Sequence, residues 1–102
     1  MTQIERKDGQ TIIKTDARID TQNASQFEKD IEPVFEEQGV RLVMDCGELS
    51  FIASSGLRVV QKMMRRVTML KGEFKIINVS PEIYKVFHMT GFTKFMTIET
   101  KA

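Results

Sequence analysis

The fold is decided by the stretch LVMDCGELSFIASSGLRVV, residues 42–60, in which a buried strand gives way to a helix. The apolar run VRLVMDC, residues 40–46, is typical of a central strand that is buried on both faces of a sheet. A turn follows, and the small polar sequence Ser54-Ser55-Gly56 then precedes an amphipathic run. A strand, a short turn and a helix in this order indicate an α/β fold.

The helix predicted after this turn begins at Ser54 or Ser55 and ends near Leu70, where Lys71-Gly72 closes it. Its apolar side chains occupy one arc of roughly 160° on a helical wheel, as expected of a helix that packs on a sheet. The members of this arc are Leu57, Val59, Val60, Met63, Met64, Val67 and Leu70. Met69 lies on the polar side and is predicted to be exposed.

Strands are also predicted on both sides of this segment. Before it, two β-branched segments at residues 2–7 and 10–19 flank Asp8-Gly9, a dipeptide favoured in tight hairpin turns. After it, strand-like segments occur at residues 73–79 and 94–100. The hairpin predicts an antiparallel pair, whereas strands that are joined through helices are parallel.

Two further helices are predicted from the signals at their ends. The first follows Asn23, a favoured N-cap, and Gln26 three residues later completes a capping-box pattern. Within that segment Pro33 lacks a backbone N–H, which predicts a kink or a short second helical piece. The other helix follows the N-cap Ser80 and stops at Gly91.

The complete order of elements is therefore β-β-α-β-α-β-α-β. This order predicts a single α/β domain over residues 1–102, with a mixed sheet that has a parallel centre and is packed by helices. A chain of 102 residues is long enough for one modest core.

Composition and charge exclude several classes of function. The net charge is +1, so no global field draws the protein toward nucleic acid or acidic lipid. A single cysteine cannot form an internal disulfide, which favours a reducing, cytoplasmic location. No stretch is long and apolar enough for a signal peptide or a membrane span, so we expect no membrane insertion.

The sequence contains few combinations of residues that are typical of an enzyme active site. His88 is the only histidine, and the predicted last turn of a helix is an ordinary surface position for it. Cys46 has no second cysteine or histidine at metal-ligand spacing and is expected to be a small buried side chain. Residues 47–56 contain two glycines but lack the lysine of a phosphate-binding loop. The sequence therefore predicts neither an enzyme nor a cofactor or metal site.

Two features have more than one interpretation. The basic helix face of Arg58, Lys62, Arg65 and Arg66 is either a solvated surface or a contact for an acidic partner protein. The serines at the helix start either cap the helix or present a hydroxyl for modification. A helix N-terminus tolerates a phosphate, which adds about −1.5 to −2 charges. A hydrolase that uses Ser54 or Ser55 as nucleophile is disfavoured, because no base is placed to activate either one.

Three segments in order resemble STAS domains, and within them the bacterial anti-sigma factor antagonists. The first is ARIDTQNASQFEKDI, residues 17–31, where an aspartate precedes a helix cap. The second is the segment at residues 42–60, which resembles a family motif of Asp-Ser-Ser/Thr-Gly-Leu after a short loop. The third is residues 71–98, with a Ser-Pro helix start and a Thr-Gly-Phe turn. Together they cover most of the chain.

The resemblance implies a switch protein rather than an enzyme. Such an antagonist binds an anti-sigma factor that is also a serine kinase, and so releases the sigma factor. The kinase phosphorylates the first serine of the motif, which matches Ser54, with Ser55 as the second choice. A PP2C-type phosphatase reverses this modification. The expected partner-binding residues are Asp20, Thr21, Asn23, Asp45, Ala53, Ser54, Ser55, Gly56, Leu57, Arg58 and Lys62.

One residue departs from the family motif. The aspartate that usually precedes the phosphorylated serine is Ala53 in this chain. An acidic residue there can orient the hydroxyl or contact the magnesium of the kinase. Its absence leaves an alternative open, a STAS module of a transporter or signalling assembly that docks constitutively and is not phosphorylated.

Overall fold

A computed structural model describes residues 2–101 as seven strands and three α-helices. The strands are β1 (Gln3–Lys7), β2 (Gln10–Lys14), β3 (Arg18–Ile19), β4 (Arg41–Asp45), β5 (Phe51–Ile52), β6 (Glu73–Val79) and β7 (Thr97–Thr100). The helices are α1 (Ala24–Ile31), α2 (Ser54–Met69) and α3 (Pro81–Met89). Short 3-10 segments follow α1 at Glu32–Glu36 and α3 at Phe92–Lys94.

Five strands form a mixed sheet in the order β1-β2-β4-β6-β7. The hairpin pair β1–β2 is antiparallel, whereas β2–β4, β4–β6 and β6–β7 are parallel. Both turn residues of the hairpin have positive φ, 54° at Asp8 and 78° at Gly9, as a type I′ turn requires. The predicted mixed sheet with a parallel centre is confirmed.

The core lies between one face of this sheet and the apolar faces of the helices. The sheet contributes Ile13, Leu42, Met44 and Ile76, each at most 1% exposed. Helix α2 contributes Val59, Val60, Met63 and Val67 to the same cluster, which agrees with the predicted arc. Leu57, Met64 and Leu70 are only partly buried at its margins, and Met69 is 80% exposed, as predicted.

The small second sheet was not predicted. Residues 10–19 were expected to form one strand, and residues 47–53 a turn. Instead β3 leaves the main sheet and pairs in parallel with β5, two residues from each side. Strands of two residues carry too little alternation to be recognised in a sequence.

The signals at the ends of α1 were partly right. A 3-10 segment begins at Glu32 with Pro33 in its first turn, so the predicted second helical piece is confirmed. Asn23 is the N-cap residue of α1, but its side chain makes no capping hydrogen bond. Gln26 donates to Asp30 instead of reaching back to the cap, at 2.8 Å. The predicted capping box was therefore wrong, because the side-chain amide of Asn23 makes its hydrogen bonds within the preceding loop.

The residues that end α2 and those at both ends of α3 have identifiable roles. The Ser80 hydroxyl accepts a hydrogen bond from the Ile83 amide, and Gly91 ends the segment with a φ of 83°, as predicted. At the end of α2, Lys71 adopts the left-handed conformation with a φ of 57°. Gly72 is needed for another reason, since a Cβ there would overlap the carbonyl oxygen of Val40.

The two candidate reactive residues, Cys46 and His88, lie in the surroundings of ordinary structural residues. Cys46 is fully buried, and this burial together with the nearby Asp45 carboxylate raises the pKa of its thiol to about 12. The thiol is therefore protonated and inert at neutral pH, as predicted for a small core residue. His88 is exposed in the last turn of α3, stacked on Tyr84 with ring centroids 6.3 Å apart.

Candidate functional site

The predicted site lies where the two strands of the small sheet end. Arg18 pairs with Phe51 and Ile19 with Ile52, so the chain leaves both strands at the same edge. The Ala53 amide then donates to the carbonyl of Ile19 at 2.8 Å, which extends this pairing by one step. Residues 20–23 and 53–58 are thereby brought side by side, and we call this surface the rim.

The loop at residues 20–23 is held by its own hydrogen bonds. The Asp20 carboxylate accepts from the amides of Gln22 and Asn23 at 3.0 and 3.1 Å. The Asn23 side chain accepts from the Asp20 amide at 2.8 Å and donates to the Arg18 carbonyl at 2.9 Å. This reciprocal arrangement fixes the backbone and leaves Thr21 exposed at the tip.

The serines differ in their exposure. Ser54 is the first residue of α2 and is exposed to solvent. Ser55 is half-buried, and its hydroxyl oxygen is buried with no hydrogen-bond partner among residues 2–101. Only Ser54 therefore offers its hydroxyl to an incoming protein without movement of the helix.

Neither serine caps the helix, contrary to the capping interpretation. The N-cap position is Ala53, which has extended backbone angles (φ −87°, ψ 170°) and no side-chain oxygen. Its carbonyl accepts the first helical hydrogen bond, from Leu57 at 3.0 Å. The first-turn amides of α2 therefore lack a side-chain cap and remain available to an anion.

We predict that Ala53→Asp stabilises the protein by about 1 kcal/mol, because aspartate at an N-cap accepts a hydrogen bond from the first turn. In a domain of this size the melting temperature should rise by roughly 4–8 °C. Urea unfolding followed by circular dichroism measures the change. Ala53→Asn is the matched control, since it supplies the cap without the charge. Equal stability of all three proteins would show that the first turn is already satisfied.

Gly56 brings α2 close to the small sheet. A Cβ at this position would lie 2.7 Å from Ile19 Cγ2 and 2.8 Å from Ile52 Cγ1, and both isoleucines are buried. The glycine thus allows the first turn of α2 to pack directly on β3 and β5. Leu57 is half-buried beside it, and Arg58 is exposed.

Two of the predicted partner-binding residues have contacts of their own. The Asp45 carboxylate accepts from the Gly47 amide at 2.9 Å and from the Asn78 side chain at 3.1 Å. It therefore shapes the turn that leads to β5. Lys62 lies about two turns along α2 from Ser54 and forms an ion pair with Glu28 of α1 at 3.3 Å.

The basic face of α2 is divided between two environments. Lys62 and Arg66 face α1, and Arg66 forms two hydrogen bonds to Glu32, at 2.7 and 2.8 Å. These bonds lower the pKa of Glu32 and raise that of Arg66. The Arg66 guanidinium also lies 4.4 Å from the centre of the Phe35 ring. Arg58 and Arg65 have no ion-pair partner within residues 2–101.

Sequence reasoning missed Arg18 and Phe51 beside the rim. The Arg18 guanidinium lies 4.5 Å from the centre of the Phe51 ring, and its Nε is 3.5 Å from the Asp20 carboxylate. Phe51 is 41% exposed, which is unusual for a phenylalanine. The sequence does show Phe51, an aromatic residue between a turn and a helix. Its position beside the rim can be inferred only when the pairing of β3 with β5 is known.

In the described part of the chain, no three His, Cys, Asp or Glu side chains lie close enough to hold a metal ion. The histidine contacts Tyr84 and Thr93 at the far end of α3 rather than a rim residue. No helix among residues 2–101 has the length and apolar character needed to cross a membrane.

Comparison with known proteins agrees with this description. The family model for the STAS domain matches residues 1–102. The protein BtrV of Bordetella bronchiseptica, whose name assigns it to the anti-sigma factor antagonists, is 27% identical over 95 residues, which are 93% of this chain and 82% of BtrV. The anti-sigma F factor antagonist of Paenibacillus polymyxa is 26% identical over 98 residues, 94% of this chain and 83% of that protein.

Solved structures share the fold. The phosphorylated form of SpoIIAA, described as a Bacillus cell fate determinant, is 25% identical with a TM-score of 0.73, over 98% of this chain and 92% of SpoIIAA. A segment of the murine anion transporter Slc26a9 gives a TM-score of 0.75 at 13% identity, over 96% of this chain and 17% of the transporter, and shows the fold alone. The chain belongs to the STAS domain family.

Proposed function

We propose that this domain, spanning residues 1–102, is a cytoplasmic anti-sigma factor antagonist that is switched by phosphorylation of Ser54. It binds an anti-sigma factor with serine kinase activity through the rim and thereby releases the sigma factor. A PP2C-type phosphatase restores the binding form. The domain acts as a binding module, without catalysis, cofactor, membrane insertion or nucleic acid.

One observation supports this proposal most directly. Ser54 is an exposed hydroxyl at the first position of α2, beside the loop at residues 20–23. A phosphate there lies at the positive end of the helix dipole, so the fold tolerates it. The same phosphate adds about −1.5 to −2 charges next to Asp20, which changes the rim that a partner contacts. The modification therefore alters binding more than stability.

The test is phosphorylation by the cognate anti-sigma kinase, identified from a neighbouring gene. Incubation with this kinase and ATP should add one phosphate, measured by intact mass. Ser54→Ala should abolish this gain. Ser55→Ala is the matched control and should keep it, because the Ser55 hydroxyl is buried.

Binding to the same kinase should follow the modification. We expect Ser54→Glu to weaken the complex at least about tenfold, or about 1.4 kcal/mol, in isothermal titration calorimetry. A stable phosphorylated form whose affinity for the kinase is unchanged would contradict the switch.

A second candidate function is a docking module that is not phosphorylated. The observation in its favour is Ala53, which replaces the acidic residue of the motif. The likeness to a segment of Slc26a9 shows that the same fold occurs inside a transporter. No gain of phosphate with the kinase, together with tight binding by both wild type and Ser54→Glu, would favour this function.

A further inference from the structure

A second surface lies away from the rim, between the second half of α2 and the segment that joins α3 to β7. It is an apolar groove that we call the methionine groove. The groove is lined by Gln61, Met64, Thr90, Phe92, Phe95 and Met96. Met64 lies ten residues beyond Ser54, or about 15 Å along the helix axis, so the groove is a separate surface from the rim.

The shape of the groove fits a side chain of another protein. Its cavity measures about 70 Å³, which is smaller than the roughly 150 Å³ cavity that binds benzene in other proteins. Phe95 at its border is 73% exposed, and Met89 in the last turn of α3 is 77% exposed. An exposed phenylalanine beside an apolar groove is typical of an interaction site. Methionine adapts well to partner side chains.

The charge of the walls is of one sign. The lining stretches, residues 61–64 and 90–96, contain Lys62 and Lys94 and no aspartate or glutamate, and Arg65 directly follows the first of them. The whole chain has a net charge of only +1, so acidic residues are concentrated elsewhere. Of the basic residues on α2, Lys62 is paired with Glu28 of α1 and Arg66 with Glu32 in the 3-10 segment that follows α1. Arg65, next to Met64, has no ion pair within residues 2–101.

From this combination we propose that the methionine groove docks an acidic amphipathic helix of a partner protein. One of its apolar side chains enters the groove, and its carboxylates face the unpaired Arg65 and the exposed Lys94 beside Phe95. An amphipathic helix in a groove is a common mode of peptide recognition. A lipid surface fits less well, because the feature is concave and membranes receive protruding apolar side chains.

The proposal is tested with three synthetic peptides of about 16 residues, long enough to form a helix. All three have leucines at i, i+3, i+4 and i+7, and their polar positions are Glu, Gln or Lys. In NMR titrations of the ¹⁵N-labelled protein, the Glu peptide should shift the amide signals of residues 61–65 and 90–96. It should bind at least about tenfold more tightly than the Lys peptide.

Matched variants distinguish binding in the groove from nonspecific hydrophobic binding elsewhere on the surface. Phe95→Ala should abolish binding of the Glu peptide, whereas Met69→Ala removes an equally exposed apolar side chain outside the groove and should not. Arg65→Glu should reverse the preference between the Glu and Lys peptides, whereas Lys29→Glu makes the same charge change on α1 and should not.

Four results would overturn the proposal. They are no shifts at millimolar Glu peptide, equal binding of the three peptides, tighter binding to phosphatidylglycerol vesicles than to the Glu peptide, and a dimer in analytical ultracentrifugation that Phe95→Ala dissociates. None of these measurements depends on Ser54, so they leave the phosphorylation switch to its own test.

Discussion

Phe87→Ala is expected to destabilise the protein by about 3–5 kcal/mol, the usual range for a fully buried phenylalanine. Phe87 is 0% exposed, and its ring centre lies 5.7 Å from that of Phe92. The substitution leaves a cavity between α3 and the 3-10 segment that follows it. Domains of this size are stabilised by about 5–15 kcal/mol, so this variant should lose a large share of its free energy of unfolding.

The exposed Phe95 provides the matched control for this prediction. Phe95→Ala removes the same atoms from a side chain that is 73% exposed, and the change should be within about 0.5 kcal/mol. Urea unfolding of both variants by circular dichroism gives the two values. Similar losses of stability in both variants would contradict the burial of Phe87 in the core.

Gly72→Ala is expected to cost about 3 kcal/mol or more, at the upper end for overpacking. The new Cβ would overlap the Val40 carbonyl oxygen and lie 3.0 Å from both Val40 Cγ1 and its amide nitrogen. Backbone atoms cannot rotate away as a side chain can. The Val40 carbonyl also accepts a hydrogen bond from Glu73 at 2.8 Å, so its displacement would disturb the start of β4 and β6.

Gly91→Ala separates steric overlap from backbone strain. Gly91 has a φ of 83°, but nothing lies within 4 Å of the position of its Cβ. Alanine there should cost only about 1–2 kcal/mol, from the left-handed conformation alone. If Gly72→Ala were no more destabilising than Gly91→Ala, the close approach to Val40 would be wrong. Thermal unfolding of both variants makes the comparison.

Much of the fold could be predicted because its long elements have strong periodic signals. The apolar run at residues 40–46 identified a buried strand, and the arc on α2 identified a helix and its buried side. The signals at Ser80 and Gly91 gave both ends of α3. Gly72 was interpreted as a helix end, because a sequence shows that a glycine is present but not which backbone approaches it.

The candidate site was less predictable, because it depends on pairing between distant residues. The position of Ser54 at the start of α2 followed from the pattern, but the cap proved to be Ala53. The alignment of Asp20 with Ala53 comes from the pairing of β3 with β5, which no local pattern indicates. The basic face of α2 was identified, but its division required knowledge of where Glu28 and Glu32 lie.

The separateness of the small sheet has a consequence for dynamics. Only two residues on each side pair in β3 and β5, whereas the main sheet has five strands. Proteins open locally where few bonds must break, without unfolding as a whole. The rim can therefore have an opening equilibrium of its own, in which β3 and β5 separate while β4 and β6 stay paired. If Ser54 is phosphorylated as proposed, a kinase that needs residues 51–53 free of the sheet would act on this minor state, and its rate would depend on how often the small sheet opens.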